Sequence, residues 1–333
     1  MKKLISLLLL LAAFTLCFTA CDNGDKDENP GNTQIRVGYL TGPTGMGMAK
    51  LIHDNGGEAG NEKYAFVRYT SPAEAAAALA ADKVDLVCID TNGAADYFNN
   101  YSDAQVLAIN TLSSLFLVTD KNTSVASFNE LDGKTIYTCK AGTPKAITEY
   151  LVSKAGINVT VSNTFNGKVI ASPQELGALL TQGAVDIAVV PEPILTSSLM
   201  TIKSNGNTDI EYSVDIPLSA VWDACVEGDA PLAMGCLIGK KEFIDAHEKL
   251  VNDFLKEYEN SIEFVNNLEN LSSSAQYVAD AKIMGAAKPA ELALKNLNGA
   301  IAYIDGKEMK LALEAFYEAL GVNLPAKEFY YEK

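Results

Sequence analysis

With 333 residues, 48% of them hydrophobic and 20% charged, the chain can bury the cores of about two domains, which excludes wholesale disorder. Forty-two acidic against 26 basic residues give a formal charge of −16 and leave no basic face for a phosphate backbone, so no nucleic-acid partner is expected. Two histidines, His53 and His247, are too few for histidine-based zinc sites or triads to assemble readily, and neither a metal nor another cofactor is expected.

Lys2 and Lys3 precede an apolar run from Leu4 to Phe18, followed by Thr19, Ala20 and Cys21, which is the order of an export signal over residues 1–20. The run is too short to persist as a membrane-spanning helix. Phe18-Thr19-Ala20-Cys21 resembles a bacterial lipobox, with Phe where Leu is usual. That resemblance implies an acylated Cys21 and a protein held by a lipid anchor at the extracytoplasmic face of the cell envelope. A plain secretory signal with an incidental cysteine is the alternative. Residues 21–33, acidic and rich in Asn, Gly and Pro, read as a flexible tether.

The body opens on an expected strand, Ile35–Leu40, that runs into Thr41-Gly42-Pro43-Thr44-Gly45-Met46-Gly47 and a helical Met48–Leu51. Such a loop can point backbone N–H groups into a cleft with a helix dipole behind them. It is no P-loop, because Met48 stands where Lys is required, and no dinucleotide fingerprint, because Lys50 replaces the third glycine. Ser71-Pro72-Ala73-Glu74 then starts a helix, with Ser as cap, Pro at the first helical position and Glu reaching back. The short apolar run Val84–Ile89 fits a buried parallel strand.

The same series recurs downstream. Lys134–Cys139 leads to Gly142-Thr143-Pro144, Ser172-Pro173-Gln174-Glu175 caps a second helix, and Val185–Val190 forms a second buried run. The spacing from Ser71 to Asp85 equals that from Ser172 to Asp186. Each copy reads βαβαβ with a mostly parallel sheet, and two such sheets placed edge to edge enclose a cleft. A strand at Leu232–Ile238 and helices at Ile244–Asn266 and Met309–Leu320 follow, the last ended by Gly321 and Pro325. Cys88 and Cys139 fall in apolar strands and read as buried thiols, whereas the spacing of Cys225 and Cys236 permits a bond across the intervening turn.

Gly42-Pro43-Thr44-Gly45, Val84-Asp85-Leu86 before Thr91-Asn92, Glu130-Leu131-Asp132-Gly133-Lys134, Val185-Asp186-Ile187-Ala188 before Pro191-Glu192-Pro193, and Met234-Gly235-Cys236-Leu237 before a long helix occur in a telling order. In this order the chain resembles the substrate-binding lipoproteins of ABC importers, in the branch of nitrate, taurine, alkanesulfonate and thiamine-precursor binders. The resemblance implies an α/β type II periplasmic binding protein fold: two lobes, each a mostly parallel sheet flanked by helices, joined by two crossover strands. Lobe I is expected at 34–117 and 238–333 and lobe II at 118–237, with crossovers at Leu115–Val118 and Met234–Ile238.

The resemblance further implies an interlobe ligand site at Thr44, Gly45, Met46, Asp90, Thr91, Asn92, Ser113, Ser114, Gly142, Thr143 and Glu192, with Trp222 as a stacking wall. Asp90 departs from the apolar or proline residue expected there. The implied partners are a small-molecule ligand and ABC permease subunits, the protein itself being a monomer without catalytic residues.

Arg36 and Arg68, the two arginines, fall in strands away from the loop tips, so no bidentate clamp for an anion is expected. Asp90 and Glu192 in near-equivalent loops favour a ligand with hydrogen-bond donors. With Trp222 this points first to a nitrogen heterocycle such as an aminopyrimidine and second to a sulfonate-like anion, which helix N-termini suit. Capping or interlobe roles for both acids are the alternative. Two other classes stay open: an enzyme on the same fold, similar to pyrimidine-precursor synthases or menaquinone-pathway lyases, and a surface interaction lipoprotein.

Overall fold

A computed structural model describes residues 34–123, 125–140, 142–206, 208–226 and 230–332, all within one compact unit, Gln34–Lys333. The expected signal, Cys21 and the tether lie outside the described residues. Strands follow in chain order as β1 (Ile35–Leu40), β2 (Tyr64–Tyr69), β3 (Leu86–Asp90), β4 (Ala104–Thr111), β5 (Leu115–Asp120), β6 (Thr135–Tyr137) and β7 (Thr160–Ser162). They continue as β8 (Thr164–Phe165), β9 (Lys168–Val169), β10 (Ile187–Pro191), β11 (Tyr212–Pro217), β12 (Gly235–Lys240) and β13 (Ile301–Asp305).

Two mixed sheets result, ordered β13-β4-β12-β3-β1-β2 and β11-β5-β10-β6-β7, beside a β8-β9 ribbon. Apart from β13 the two orders correspond strand for strand, so the duplication seen in the sequence is a duplication of topology. In each copy three strands pair in parallel: β2-β1-β3, with Ile35 opposite Tyr64 and Val37 opposite Leu86, and β7-β6-β10, with Thr135 opposite Thr160 and Tyr137 opposite Ala188. The fourth strand is antiparallel and arrives from the other half of the chain. β12 inserts between β3 and β4, and β5 inserts between β10 and β11.

The chain therefore crosses between sheets at residues 112–114 and again between Cys225 and Gly235. The strands expected to bridge the lobes instead belong wholly to one sheet each, β5 to the second and β12 to the first. The crossings touch, since Met234 donates its N–H to the Thr111 carbonyl at 2.9 Å and Ser114 Oγ lies 3.7 Å from Met234 Sδ.

Both Ser-Pro devices form as the sequence requires. Ser71 Oγ accepts from Glu74 N–H and Ser172 Oγ from Glu175 N–H, each at 3.2 Å, at the starts of the helices Pro72–Ala80 and Pro173–Thr181. Glu74 and Glu175 reach back to the N–H groups of Thr70 and Ala171. Each such cap contributes about 1 kcal/mol. The expected helix Ile244–Asn266 is split. Lys241–Ala246 ends where the His247 N–H bonds to Phe243 and Ile244 carbonyls, and Glu248–Asn266 restarts with Val251, Phe254, Leu255, Tyr258, Ile262 and Val265 buried. The final helix, Gly306–Ala319, closes as a Schellman turn: Gly321 at φ +66° donates to the Glu318 carbonyl and Val322 to that of Tyr317.

One buried apolar cluster packs β1 and β3 against the C-terminal helices, and another fills the second lobe around Leu176, Leu180 and Val190. A third runs through both lobes, from Val106 and Ile109 to Leu117, Val189, Trp222 and Phe316. Cys225 and Cys236 are free thiols on separate elements, a helix of the second lobe and β12 of the first, so the bond their spacing permits is not formed. Among the described residues no helix is long and apolar enough to cross a membrane, and no group of His, Cys, Asp and Glu is arranged to hold a metal ion.

Candidate functional site

The carboxyl ends of β1, β3, β6 and β10 carry their loops to one cleft of about 240 Å³ between the sheets. Of the helix starts that meet there, four carry proline at their first turn: Gly42-Pro43, Ser71-Pro72, Thr143-Pro144 and Ser172-Pro173. Proline is tolerated there because its missing N–H would have no intrahelical partner. The two halves of the duplication supply two starts each, so the positive ends of backbone dipoles from both lobes face a common space.

Of the residues expected to touch a ligand, the cleft brings together Thr44, Asp90, Ser114, Gly142, Thr143 and Glu192. Thr44 is buried, and its Oγ1 has no hydrogen-bond partner in the protein. A buried hydroxyl left unpaired is costly, so this one is suited to a partner that enters from the cleft.

The remaining expectations resolve otherwise. The N–H groups of Gly45, Met46 and Gly47 turn back onto the carbonyls of Gly42 and Pro43 and do not point into the cleft. Gly45 is needed for a close approach, since a Cβ there would stand 2.1 Å from the Leu40 carbonyl oxygen. Met46 is wholly buried in the first lobe's core. Thr91 is buried too, its hydroxyl donating to the Ala233 carbonyl at 2.6 Å. Asn92 lines a neighbouring cavity of about 590 Å³ that shares Ser71, Pro72, Asp90 and Gly142 with the cleft. Ser113 is half-buried in the outgoing crossing and is not part of the cleft wall.

Trp222 is no wall of the cleft. Its indole is completely buried, donates Nε1–H to the Ala230 carbonyl at 2.8 Å and packs against Tyr150 and Phe316 at ring distances of 5.4 and 5.7 Å. Its helix, Leu218–Cys225, is amphipathic and buries Leu218, Val221 and Trp222 on one face as a packing stripe.

The two carboxylates line the cleft and are also structural. Asp90 caps the helix Thr91–Tyr101 by accepting the Gly93 N–H at 2.8 Å, and burial raises its carboxyl above the usual range. Glu192 accepts from Thr196 N–H at 3.1 Å, Thr196 Oγ1 at 2.8 Å and Asn296 Nδ2 at 2.6 Å, and burial raises it as well. Both shifts follow from loss of water around the charged form, which these hydrogen bonds offset only in part.

Sequence reasoning missed several members of the cleft wall: Thr41, Thr70, Thr111, Ser172 and Gln174. Ser71 and Ser172 were legible as caps but not as cleft residues, although both open helices at the cleft between the two sheets. Among the described residues no Lys, Arg, His or aromatic side chain lines the cleft. Its chemistry is that of hydroxyls, prolines, two carboxyls and one primary amide, beside the apolar side chains of Leu40, Ile194 and Met234.

A family model described as NMT1/THI5 like matches residues 63–268. No curated protein sequence matches the chain. Among solved structures, an ABC transporter protein of Parabacteroides distasonis is similar at a TM-score of 0.67 and 19% identity, covering 90% of this chain and 99% of the other. The periplasmic aliphatic sulphonate binding protein of Escherichia coli is similar at 0.66 and 14% identity, with 90% and 92% covered. The periplasmic nitrate-binding protein of Synechocystis PCC 6803 is similar at 0.54 and 13% identity, with 83% and 74% covered. These likenesses establish the fold as that of type II periplasmic binding proteins.

Proposed function

The chain belongs to the NMT1/THI5-like family, and from that premise we propose that it is the solute-binding component of an ABC importer. In this reading it captures a small polar molecule between its lobes and delivers it to permease subunits, performing no chemistry itself. The carrying observation is the ligand-sized cleft walled from both halves of a duplicated topology by six of the residues the sequence singled out: Thr44, Asp90, Ser114, Gly142, Thr143 and Glu192. Its position at the carboxyl ends of the parallel strands is where α/β folds bind ligands.

For the ligand we favour a compact, sulfonate-like anion over a flat heterocycle. Among the described residues no ring lines the cleft to stack on, whereas hydroxyls and three helix starts of eight or more residues, at Pro72, Pro144 and Pro173, offer donors and favourable dipoles. The sulphonate and nitrate named for two of the structural neighbours support the same class. We further propose that residues 1–20 are removed on export and that acylated Cys21 tethers the body to the cell envelope as a monomer.

Native mass spectrometry of the purified protein tests the reading. The expected result is a small molecule retained at one per chain, displaced by alkanesulfonates and released unchanged. Conversion of that molecule to a product would establish the same-fold enzyme instead, and retention of a protein partner with no small molecule would establish the interaction lipoprotein.

A further inference from the structure

Glu192 is only 1% exposed, yet its carboxylate is held by residues of both lobes. Thr196, on the helix Ile194–Ser204 of the second lobe, supplies two of its hydrogen bonds. The third comes from Asn296, the last residue of the helix Ala287–Asn296, which is seated in the first lobe's core through Ala290, Ala293 and Leu294. Asn296 Nδ2 also lies 3.2 Å from Thr196 Oγ1, so one side-chain amide of the first lobe contacts two polar groups of the second.

The geometry has a mechanical consequence. Separation of the lobes removes Asn296 from Glu192 and leaves one carboxylate oxygen with Thr196 Oγ1 alone. A carboxylate can remain buried only while its hydrogen bonds are made, so loss of Asn296 favours entry of water and a rearranged Glu192. Glu192 is itself part of the cleft wall, and its N–H is fixed to the Ser114 carbonyl of the outgoing crossing at 2.9 Å. Movement of the lobes and the shape of the cleft therefore meet at this one carboxylate. Asn296 lies beyond the stretch matched by the family model.

We propose that Asn296 is a positioning residue of the cleft: by holding Glu192 across the lobe boundary it fixes both that part of the cavity wall and the approach of the two lobes. The inference rests on the solute-binding reading for its purpose but not for its test, which needs no ligand. Small-angle X-ray scattering gives the radius of gyration of the protein, and hydrogen exchange follows the Thr196 amide that bonds to Glu192.

Asn296→Ala is expected to enlarge the radius of gyration and to speed Thr196 exchange about tenfold. Asn296→Asp, which sets a second carboxylate against Glu192, is expected to do more. Adding Glu192→Gln to Asn296→Asp restores a donor–acceptor pair with its polarity reversed, and both readouts should return toward the parent values, which simple loss of packing would not do. Unchanged scattering and exchange in the two single variants would overturn the proposal, as would a double variant no more compact than Asn296→Asp. If Asn296→Asp does not fold, Asn296→Ala alone decides, and unchanged scattering and Thr196 exchange in it would overturn the proposal. Failure to retain any small molecule in native mass spectrometry would sink the transport reading and leave this contact standing, so the two failures are distinguishable.

Discussion

Asp90 and Glu192 occupy nearly the same place in the two halves of the duplication. Asp90 ends β3 and Glu192 directly follows β10, and each carboxylate accepts a backbone N–H from the helix that comes next, at Gly93 and Thr196 respectively. They differ in their remaining surroundings: Glu192 also accepts a hydrogen bond from Asn296 of the opposite lobe.

Their shared environment sets a pH dependence. Burial raises Asp90 above its ordinary 3.8 and Glu192 above 4.5, so the folded protein keeps protons that the unfolded chain has lost. The stability linked to both groups is fully present below their unfolded values and is lost as pH rises through the folded ones. Asp90→Asn keeps the acceptor for Gly93 while removing the charge. Its stability relative to the parent should therefore increase between about pH 4 and pH 7, measured from urea midpoints. Taking the difference removes contributions of opposite sign, such as that of Glu58, whose carboxyl is lowered by its hydrogen bond to Lys282 and by Arg68. A difference that stays flat across this range would show that Asp90 is not shifted.

Thr44 separates ligand binding from folding. Thr44→Val removes the buried, unpartnered hydroxyl and keeps the shape of the side chain. The empty protein should melt at the parent temperature or slightly above it, while affinity for an alkanesulfonate probe falls about tenfold by calorimetry. Undiminished affinity would remove Thr44 from the ligand contacts.

Trp222 should show the reverse pattern. Trp222→Phe loses the bond to the Ala230 carbonyl and part of the packing against Tyr150 and Phe316. Destabilisation of about 1–3 kcal/mol in urea is expected, with probe affinity unchanged in the folded variant. Weakened binding by a well-folded variant would return the indole to the cleft.

Much of the fold was legible because its signals are local. The Ser-Pro-x-Glu series needs only four consecutive residues, and runs such as Val185–Val190 declare a strand buried on both faces. The positions of β5 and β12 were less legible, because an antiparallel insertion is decided by pairing between distant segments and not by the pattern of the strand itself. The loops after β1, β3 and β10 could be placed at the cleft for the same topological reason. Which residues of a loop face it could not, as Gly45 and Met46 show: a close approach to Leu40 and a core packing position look, in sequence, like part of a ligand-binding turn. Asn296 carried no readable signal, since a polar residue at a helix end is ordinary and its partner lies 104 positions away.

Trp222 is the chain's one tryptophan, and its ring rests on Phe316 from the helix Gly306–Ala319, which packs on the first lobe, while its own helix packs on β5 and β11 of the second. The sole indole fluorophore thus sits at the seam along which the lobes would pivot. If the lobes move as the proposed function requires, its emission wavelength and quenching would gauge that movement in the unlabelled protein.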